Sequence, residues 1–384
     1  MSNKTILILG GGIGGLCAAT HLRRLLAPEH RVVVIEKNAT FALRMANLWI
    51  MTGERERPEQ GERNLSRLPE RGIEWVEAEI ETIEPVARMV KTRAGAFTGD
   101  YLVIALGAER QPQAVPGFAE AALDLYEAQG ALAIRRALDT FDGGRVVILI
   151  ARTPFSCPSA PYEAAFLIDM VLRGRGVRKK SQIAIYTPED LPMPVAGAEV
   201  GAALVQMLDA RGIEFHPEQI VMRVEPASQT IRFELEDTKF DLLVGIPAHR
   251  APAVIRQAKL ADASGWVSVE PNTLQTRHPG VYAIGDVTSI RLPIGMYLPK
   301  AGVFADEEAR VVAENIAAEV AGKAPASRFN GHGFCYIEVG DNMAAYGAGN
   351  FYGIPAPIVT LEPPSPRYRL EKHEIERTAQ SLWL

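Results

Sequence analysis

Short, largely apolar runs recur along this chain and are separated by longer stretches of helical character. The runs at 5–9, 31–35, 102–105, 145–150, 182–186 and 241–246 are four to six residues long and rich in Val, Ile and Leu, as strands buried on both faces are. Stretches 16–26, 196–211 and 301–317 carry the intervening helices. Strands alternating with helices predict parallel sheets with helical crossovers, an α/β protein. Residues 71–104 add shorter strands broken by Pro85 and glycine turns. The polar stretch 48–70 reads as surface loops with a short helix and no chemistry.

Glycines sharpen the picture at the first strand. Gly10-Gly11-Gly12-Ile13-Gly14-Gly15 follows residues 5–9 at once and runs into a helix. Gly10 permits the tight turn, Gly12 lets backbone approach a pyrophosphate, and Gly15 allows helix and strand to pack closely, with phosphates at the helix N-terminus. Glu36 ends the second strand, 21 residues after Gly15, where an acidic side chain accepts hydrogen bonds from an adenosine ribose. Lys37 follows it and joins the expected cofactor contacts.

Further along, Val281-Tyr282-Ala283-Ile284-Gly285-Asp286 precedes the 301–317 helix. Here the chain resembles the two-dinucleotide-domain flavoproteins related to glutathione reductase. The resemblance implies that Gly285 and Asp286 hold the ribityl–phosphate region of FAD. It also implies that Lys300, Ala301 and Gly302 open a helix aimed at the flavin, whose N-terminus would favour the negative charge of the reduced ring. Gly107 closes Tyr101-Leu-Val-Ile-Ala-Leu-Gly, which is similar to the family's crossover segment. No cysteine stands in Phe41-Ala-Leu-Arg-Met-Ala-Asn47, so FAD is expected to be noncovalent.

The second strand–turn–helix unit, at 145–165, keeps the frame but not the glycines. Gly143 and Gly144 precede its strand, and none follows until Gly174, so tight nicotinamide binding is not expected. The turn instead carries Cys157-Pro-Ser-Ala-Pro-Tyr-Glu163. This resembles the signature of the sulfide:quinone oxidoreductases and the flavocytochrome c sulfide dehydrogenase flavoproteins. Pro299-Lys-Ala-Gly302 and Lys372-x-x-Ile375-Glu376 extend the resemblance over most of the chain. It implies that Cys157 works with Cys335, in Gly331-His-Gly-Phe-Cys-Tyr336. Sulfide must attack a sulfur, and two cysteines are the minimum for a bridge that then passes an electron pair to flavin. A helix starting near Pro161 would lower the Cys157 pKa, and Glu163 would accept protons. Without the resemblance, Cys157 and Cys335 read as two unrelated buried thiols and Glu163 as an acidic residue stabilising a helix N-terminus. The resemblance also implies two Rossmann-like domains, the FAD domain discontinuous (1–112 and 248–318), the second at 113–247, and a small C-terminal domain at 319–384.

Composition narrows the partners. With a net charge of −5 and 47% hydrophobic residues over 384, no nucleic-acid partner is expected. Three cysteines, widely spaced, fit neither a disulfide scaffold nor a metal site. Cys17, on the first helix, reads as a packed thiol. The N-terminal run has no secretory layout and no run is long enough to span a membrane, so a cytoplasmic location is expected, peripheral at the inner membrane. Phe334, Tyr336, Tyr346, Phe351 and Tyr352 flank Cys335, either as a pocket for a quinone ring or as core. The tail 368–384 is amphipathic, for peripheral membrane contact, for a homodimer, or to cover the core. The expected activity is FAD-dependent oxidation of sulfide or a related sulfur species, with a quinone or cytochrome as acceptor. The alternatives are an NADH:quinone dehydrogenase and a flavin-binding electron-transfer or sensor subunit.

Overall fold

A computed structural model describes residues 3–383; Leu384, at the end of the predicted tail helix, lies outside them. The chain opens with strand β1 (Thr5–Leu9), helix α1 (Ile13–Leu25), strand β2 (Arg31–Glu36), helix α2 (Asn47–Thr52) and strands β3 (Glu74–Glu77) and β4 (Tyr101–Ile104). A second series follows: β5 (Leu123–Asp124), α3 (Ala128–Thr140), β6 (Gly144–Ile150), α4 (Ala160–Gly174), β7 (Ser181–Tyr186), α5 (Ala198–Asp209), β8 (Ile213–His216) and β9 (Leu242–Ile246). Then come β10 (Val281–Ala283), α6 (Gly302–Val320), β11 (His332–Gly340), β12 (Met343–Asn350), β13 (Ile358–Ser365) and α7 (Pro366–Trp383).

Two parallel sheets organise the molecule, as expected of an α/β fold. The first has the order β10-β4-β1-β2-β3, so a strand from late in the chain completes the N-terminal sheet. The second has the order β5-β9-β6-β7-β8. In the first, Ile6 pairs with Val32 and Leu7 with Leu102; in the second, Ile148 pairs with Ile185 and with Val244. Residues 6–9 and 146–150 are almost wholly buried. That is why these strands read as continuous apolar runs rather than alternating ones. Helix α1 packs against α6, and the Cys17 thiol donates to the Asp306 carbonyl at 3.4 Å. Burial holds that thiol far above its usual range, as a packed residue requires.

The C-terminal part is built differently. Strands β11, β12 and β13 form an antiparallel sheet, and α7 packs against β12. Among the described residues, no helix is long and apolar enough to cross a membrane.

One segment departs from the sequence reading. The short helix expected in this stretch is α2 at 47–52, but it is not on the surface: Leu48, Trp49, Ile50 and Met51 are all buried. The apolar quartet packs against α3 and α4, and the polar flanks on either side had masked it.

The buried position of β6 makes a stability prediction. Ile148→Ala removes a side chain with no solvent exposure and should lower unfolding stability by about 2–5 kcal/mol. Chemical denaturation measures it; a loss well under that range would mean the strand is not packed on both faces.

Candidate active site

The C-terminal ends of both parallel sheets open into one cavity of about 2340 Å³, which runs from the glycine turn to α7. Its first end is a cradle of backbone. Gly10 has φ +104°, and a Cβ there would stand 2.4 Å from the Ala105 carbonyl oxygen. A Cβ on Gly15 would stand 1.9 Å from the Gly10 oxygen. Both positions therefore exclude any side chain. Gly12, by contrast, has nothing within 4 Å where a side chain would be, so it presents bare backbone to the cavity. The Gly11 N–H donates to Glu36 Oε2 at 2.7 Å, and Asn38 donates to Oε1, which fixes the carboxylate at the cavity wall. Lys37 lies at the same wall, its Nζ 3.4 Å from Glu79. Gly107 has φ +63° with open space around it.

The far side of the cradle is charged and buried. The Gly285 N–H donates to Glu308 at 2.6 Å, and burial pushes the Glu308 carboxyl up to about 8. Lys300 donates to the carbonyls of Asp286 and Thr288 at 2.7 and 2.9 Å and stands 3.4 Å over the Trp266 ring. Burial pulls its ammonium down to about 8. Ala301 is the N-cap of α6, and a Cβ on Gly302 would meet Ile13 at 2.6 Å. The first turn of α6 faces the cavity, so its unpaired N–H groups point where an anionic group would lie. Bare glycine backbone, a held carboxylate and a helix N-terminus fit a dinucleotide.

The thiol turn is tied to this cradle. The Cys157 N–H donates to the Lys300 carbonyl at 2.7 Å and the Ser156 hydroxyl donates to Asp286 at 2.5 Å. Cys157 itself sits at φ +50°, a left-handed conformation that non-glycine residues adopt only when the surroundings hold them there. Tyr126 helps to do so by donating to the Ser156 carbonyl at 2.6 Å.

Cys157 and Cys335, 178 residues apart in sequence, converge on one hydroxyl. Cys335 Sγ lies 3.2 Å and Cys157 Sγ 3.8 Å from Ser159 Oγ, and both cysteines are free thiols. Ser159 donates in turn to Glu163 Oε2 at 3.1 Å. Oε1 of Glu163 accepts the Glu338 N–H at 2.8 Å and a short bond from Lys372. Lys372 also reaches Glu338 at 3.1 Å, and Glu338 accepts from the Trp49 indole at 2.8 Å. Two buried carboxylates thus share one buried ammonium. Burial pushes the Glu163 carboxyl up, only partly countered by Lys372. Glu338, despite its own burial, is held below the usual carboxylate range by Lys372 and the indole. Environments that separate two like groups in this way leave one to titrate and one to stay charged.

The thiols differ from expectation. Helix α4 starts at Ala160, but the dipole does not prevail: burial, followed by the charge of Glu163, raises Cys157 to about 11 and Cys335 to about 12. Desolvating a thiolate next to a carboxylate outweighs one helix end.

Sequence reasoning missed Ser159, Lys372, Glu338 and Trp49 as parts of this network. Ser159 lay in plain view inside the cysteine motif. The others could not be given these roles because the Lys372–Glu163 and Trp49–Glu338 contacts join residues 209 and 289 positions apart. The aromatics divide: Phe334, Tyr336 and Phe351 line the cavity, Tyr346 stacks on Tyr368, and Tyr352 meets Phe329 edge-on.

Comparison with known proteins agrees with this geometry. Residues 4–151 match the pyridine nucleotide-disulphide oxidoreductase family, and residues 131–247 match the central region of the sulfide dehydrogenase (flavocytochrome c) flavoprotein chain. The chain is an FAD-dependent oxidoreductase similar to the sulfide:quinone oxidoreductases and to the flavocytochrome c sulfide dehydrogenase flavoproteins. It is 26% identical over 299 residues to the mitochondrial sulfide:quinone oxidoreductase of Mus musculus, covering 74% of this chain and 66% of that protein. It is also 26% identical over 335 residues to the sulfide-quinone reductase of Aquifex aeolicus, covering 83% and 77%. The solved structure of the Aquifex aeolicus sulfide:quinone oxidoreductase superposes with a TM-score of 0.88 at 23% identity, over 99% of this chain and 92% of that one. The cofactor is FAD, and the bare backbone of the glycine cradle fits its dinucleotide.

Two predictions follow from the cradle. Glu308 is protonated in the folded state up to about pH 8 and in the unfolded state only up to its ordinary 4.5. The folded protein therefore binds more protons between those values, and its stability falls as pH rises through them. Glu308→Gln should flatten that decline in melting temperature; an unchanged slope would show that Glu308 is not its source. Because the wall at Ala42 and Leu43 offers no nucleophile, acid precipitation of the loaded protein should leave all flavin in the supernatant, and flavin in the pellet would contradict noncovalent binding.

Proposed function

We propose that this flavoprotein oxidises sulfide at Cys157 and Cys335 and passes the electrons through FAD to a quinone. The observation that carries the reading is the meeting of both sulfurs at Ser159 Oγ, on a turn hydrogen-bonded to the flavin cradle. In the oxidised protein the two sulfurs are bridged. Hydrosulfide attacks one of them and the bridge breaks. One cysteine then carries the new sulfur as a persulfide, while the other leaves as a thiolate holding the electron pair. FAD supplies the two-electron acceptor. Ser159 and Glu163 carry protons to and from the sulfurs, since the hydroxyl links Cys335 to a carboxyl that burial makes a weaker acid. Lys372 keeps that carboxyl oriented and prevents two buried carboxylates from facing each other alone.

The quinone reading draws support from the relatives' names and from Phe334, Tyr336 and Phe351 on the cavity wall, where apolar rings suit a flat apolar ligand. Other relatives are named NADH:quinone oxidoreductases, among them the type II protein of Staphylococcus haemolyticus, 23% identical over 91% of this chain, but here the β6–α4 turn places Thr153, Pro154 and Phe155 where a glycine fingerprint would expose backbone. Peripheral membrane contact rests on little surface of α7. Its Ile375, Ala379, Leu382 and Trp383 line the cavity, and of its large apolar side chains Leu370 is the most exposed, at 68%.

Mixed anaerobically with the FAD-loaded protein, sulfide should bleach the flavin absorbance and NADH should not. Cys157→Ser should slow the bleaching by at least ~100-fold without releasing flavin. Equal rates in both proteins would remove Cys157 from the reaction, fast bleaching by NADH would favour a dehydrogenase, and bleaching without sustained quinone reduction would favour an electron-transfer subunit.

A further inference from the structure

The cavity has a further buried carboxyl, on the side where the second sheet ends. Glu189 follows β7 by three residues, is 9% exposed and lines the cavity. Its surroundings differ from those of Glu163. Both of its side-chain hydrogen bonds fall on Oε2, from the Tyr162 hydroxyl at 2.7 Å and the Thr187 hydroxyl at 3.1 Å. No lysine, arginine or histidine is paired with it among the described residues. A carboxyl at this depth ordinarily has a cation beside it. Glu189 has only neutral side-chain donors, both on Oε2, and its residue lines the cavity.

Its contacts tie it to the segments that hold the Cys157 turn. Tyr162, which binds its Oε2, precedes Glu163 on the first turn of α4, the helix that follows the Cys157 turn. The Tyr126 hydroxyl, 3.3 Å from the Cys157 carbonyl, feels the charges of both Cys157 and Glu189. The titratable groups around Glu189 are Tyr162 from α4, Tyr126 from the segment before α3, and its neighbour Asp190. Glu218, whose N–H donates to the Glu189 carbonyl, adds another carboxylate to the same turn. None is basic.

We propose that Glu189 meets the sulfur substrate on this side of the chamber, accepts a proton from it, and by its uncompensated charge admits uncharged sulfur species in preference to anions. This rests on the sulfide reading above. Hydrogen sulfide enters neutral and gives one proton to Glu189 Oε1. The hydrosulfide so formed is the nucleophile for the cysteine bridge, and the proton leaves through the cavity to solvent. Burial and Asp190 raise the Glu189 carboxyl to about 7, which suits a group that exchanges protons near neutrality.

Two measurements on the FAD-loaded protein test this. The first compares alkylation of the reduced chamber thiols by neutral iodoacetamide and anionic iodoacetate at mildly alkaline pH, in the parent, Glu189→Gln and Glu189→Asp. Gln keeps the Tyr162 and Thr187 hydrogen bonds, so folding and flavin content should be retained. The preference for the neutral reagent should fall several-fold in Glu189→Gln and persist in Glu189→Asp; an unchanged preference in Glu189→Gln overturns the proposal whether or not sulfide is the substrate. The second follows anaerobic flavin bleaching by sulfide against pH. Glu189→Gln should be slower by ~10²-fold or more and lose an inflection near neutrality that Glu189→Asp restores. Parent-like rates and profile overturn the proton-transfer role. A parent protein that sulfide does not bleach overturns the sulfide reading and the proton transfer with it, leaving the charge preference to be judged by alkylation.

Discussion

The buried ammonium of Lys372 is the contact on which the rest of the thiol chamber depends. It lies between Glu163 and Glu338, with both carboxylates and the amine almost fully out of water. Burying any one of these charges alone would cost several kcal/mol, and a pair is tolerated only when its remaining lone pairs are also satisfied. Here they are: Ser159 and the Glu338 N–H complete Glu163, while Trp49 and Arg369 complete Glu338. Four distant parts of the chain, α2, α4, β11 and α7, are brought together by this one arrangement. The carboxylate that reaches the thiols is therefore held in place by the last helix of the protein.

A second tie runs the other way, from the thiols to the flavin cradle. Cys157 bonds the Lys300 backbone and Ser156 bonds Asp286, so the reactive turn and the cofactor segment share a short length of hydrogen-bonded chain. The left-handed backbone of Cys157 is sustained by these bonds and by Tyr126. Desolvation beside the Glu163 carboxylate makes both cysteines poor acids at rest.

Much of this was readable in the chain. Continuous apolar runs announced two buried parallel sheets because a strand covered on both faces has no polar position to alternate with. Gly10, Gly12 and Gly15 announced the cradle because contacts of 1.9 and 2.4 Å forbid a side chain at two of them. Cys157 was legible from its neighbours in sequence, and Cys335 only through resemblance. The loss of glycines after β6 was equally plain.

What the sequence could not supply is whatever depends on partners distant along the chain. Helix α2 reads as surface until α3 and α4 are seen to cover it. The pKa of Cys157 reads as low from its helix, yet folding raises it, because burial and Glu163 act over three dimensions while the dipole is a local property. Glu189 looks like any loop carboxylate, and only the fold leaves it buried without a cation. Local geometry, written in glycines and apolar periods, was determined by the sequence itself; the electrostatics of the chamber was decided by tertiary structure, since charge and desolvation depend on what is near in space.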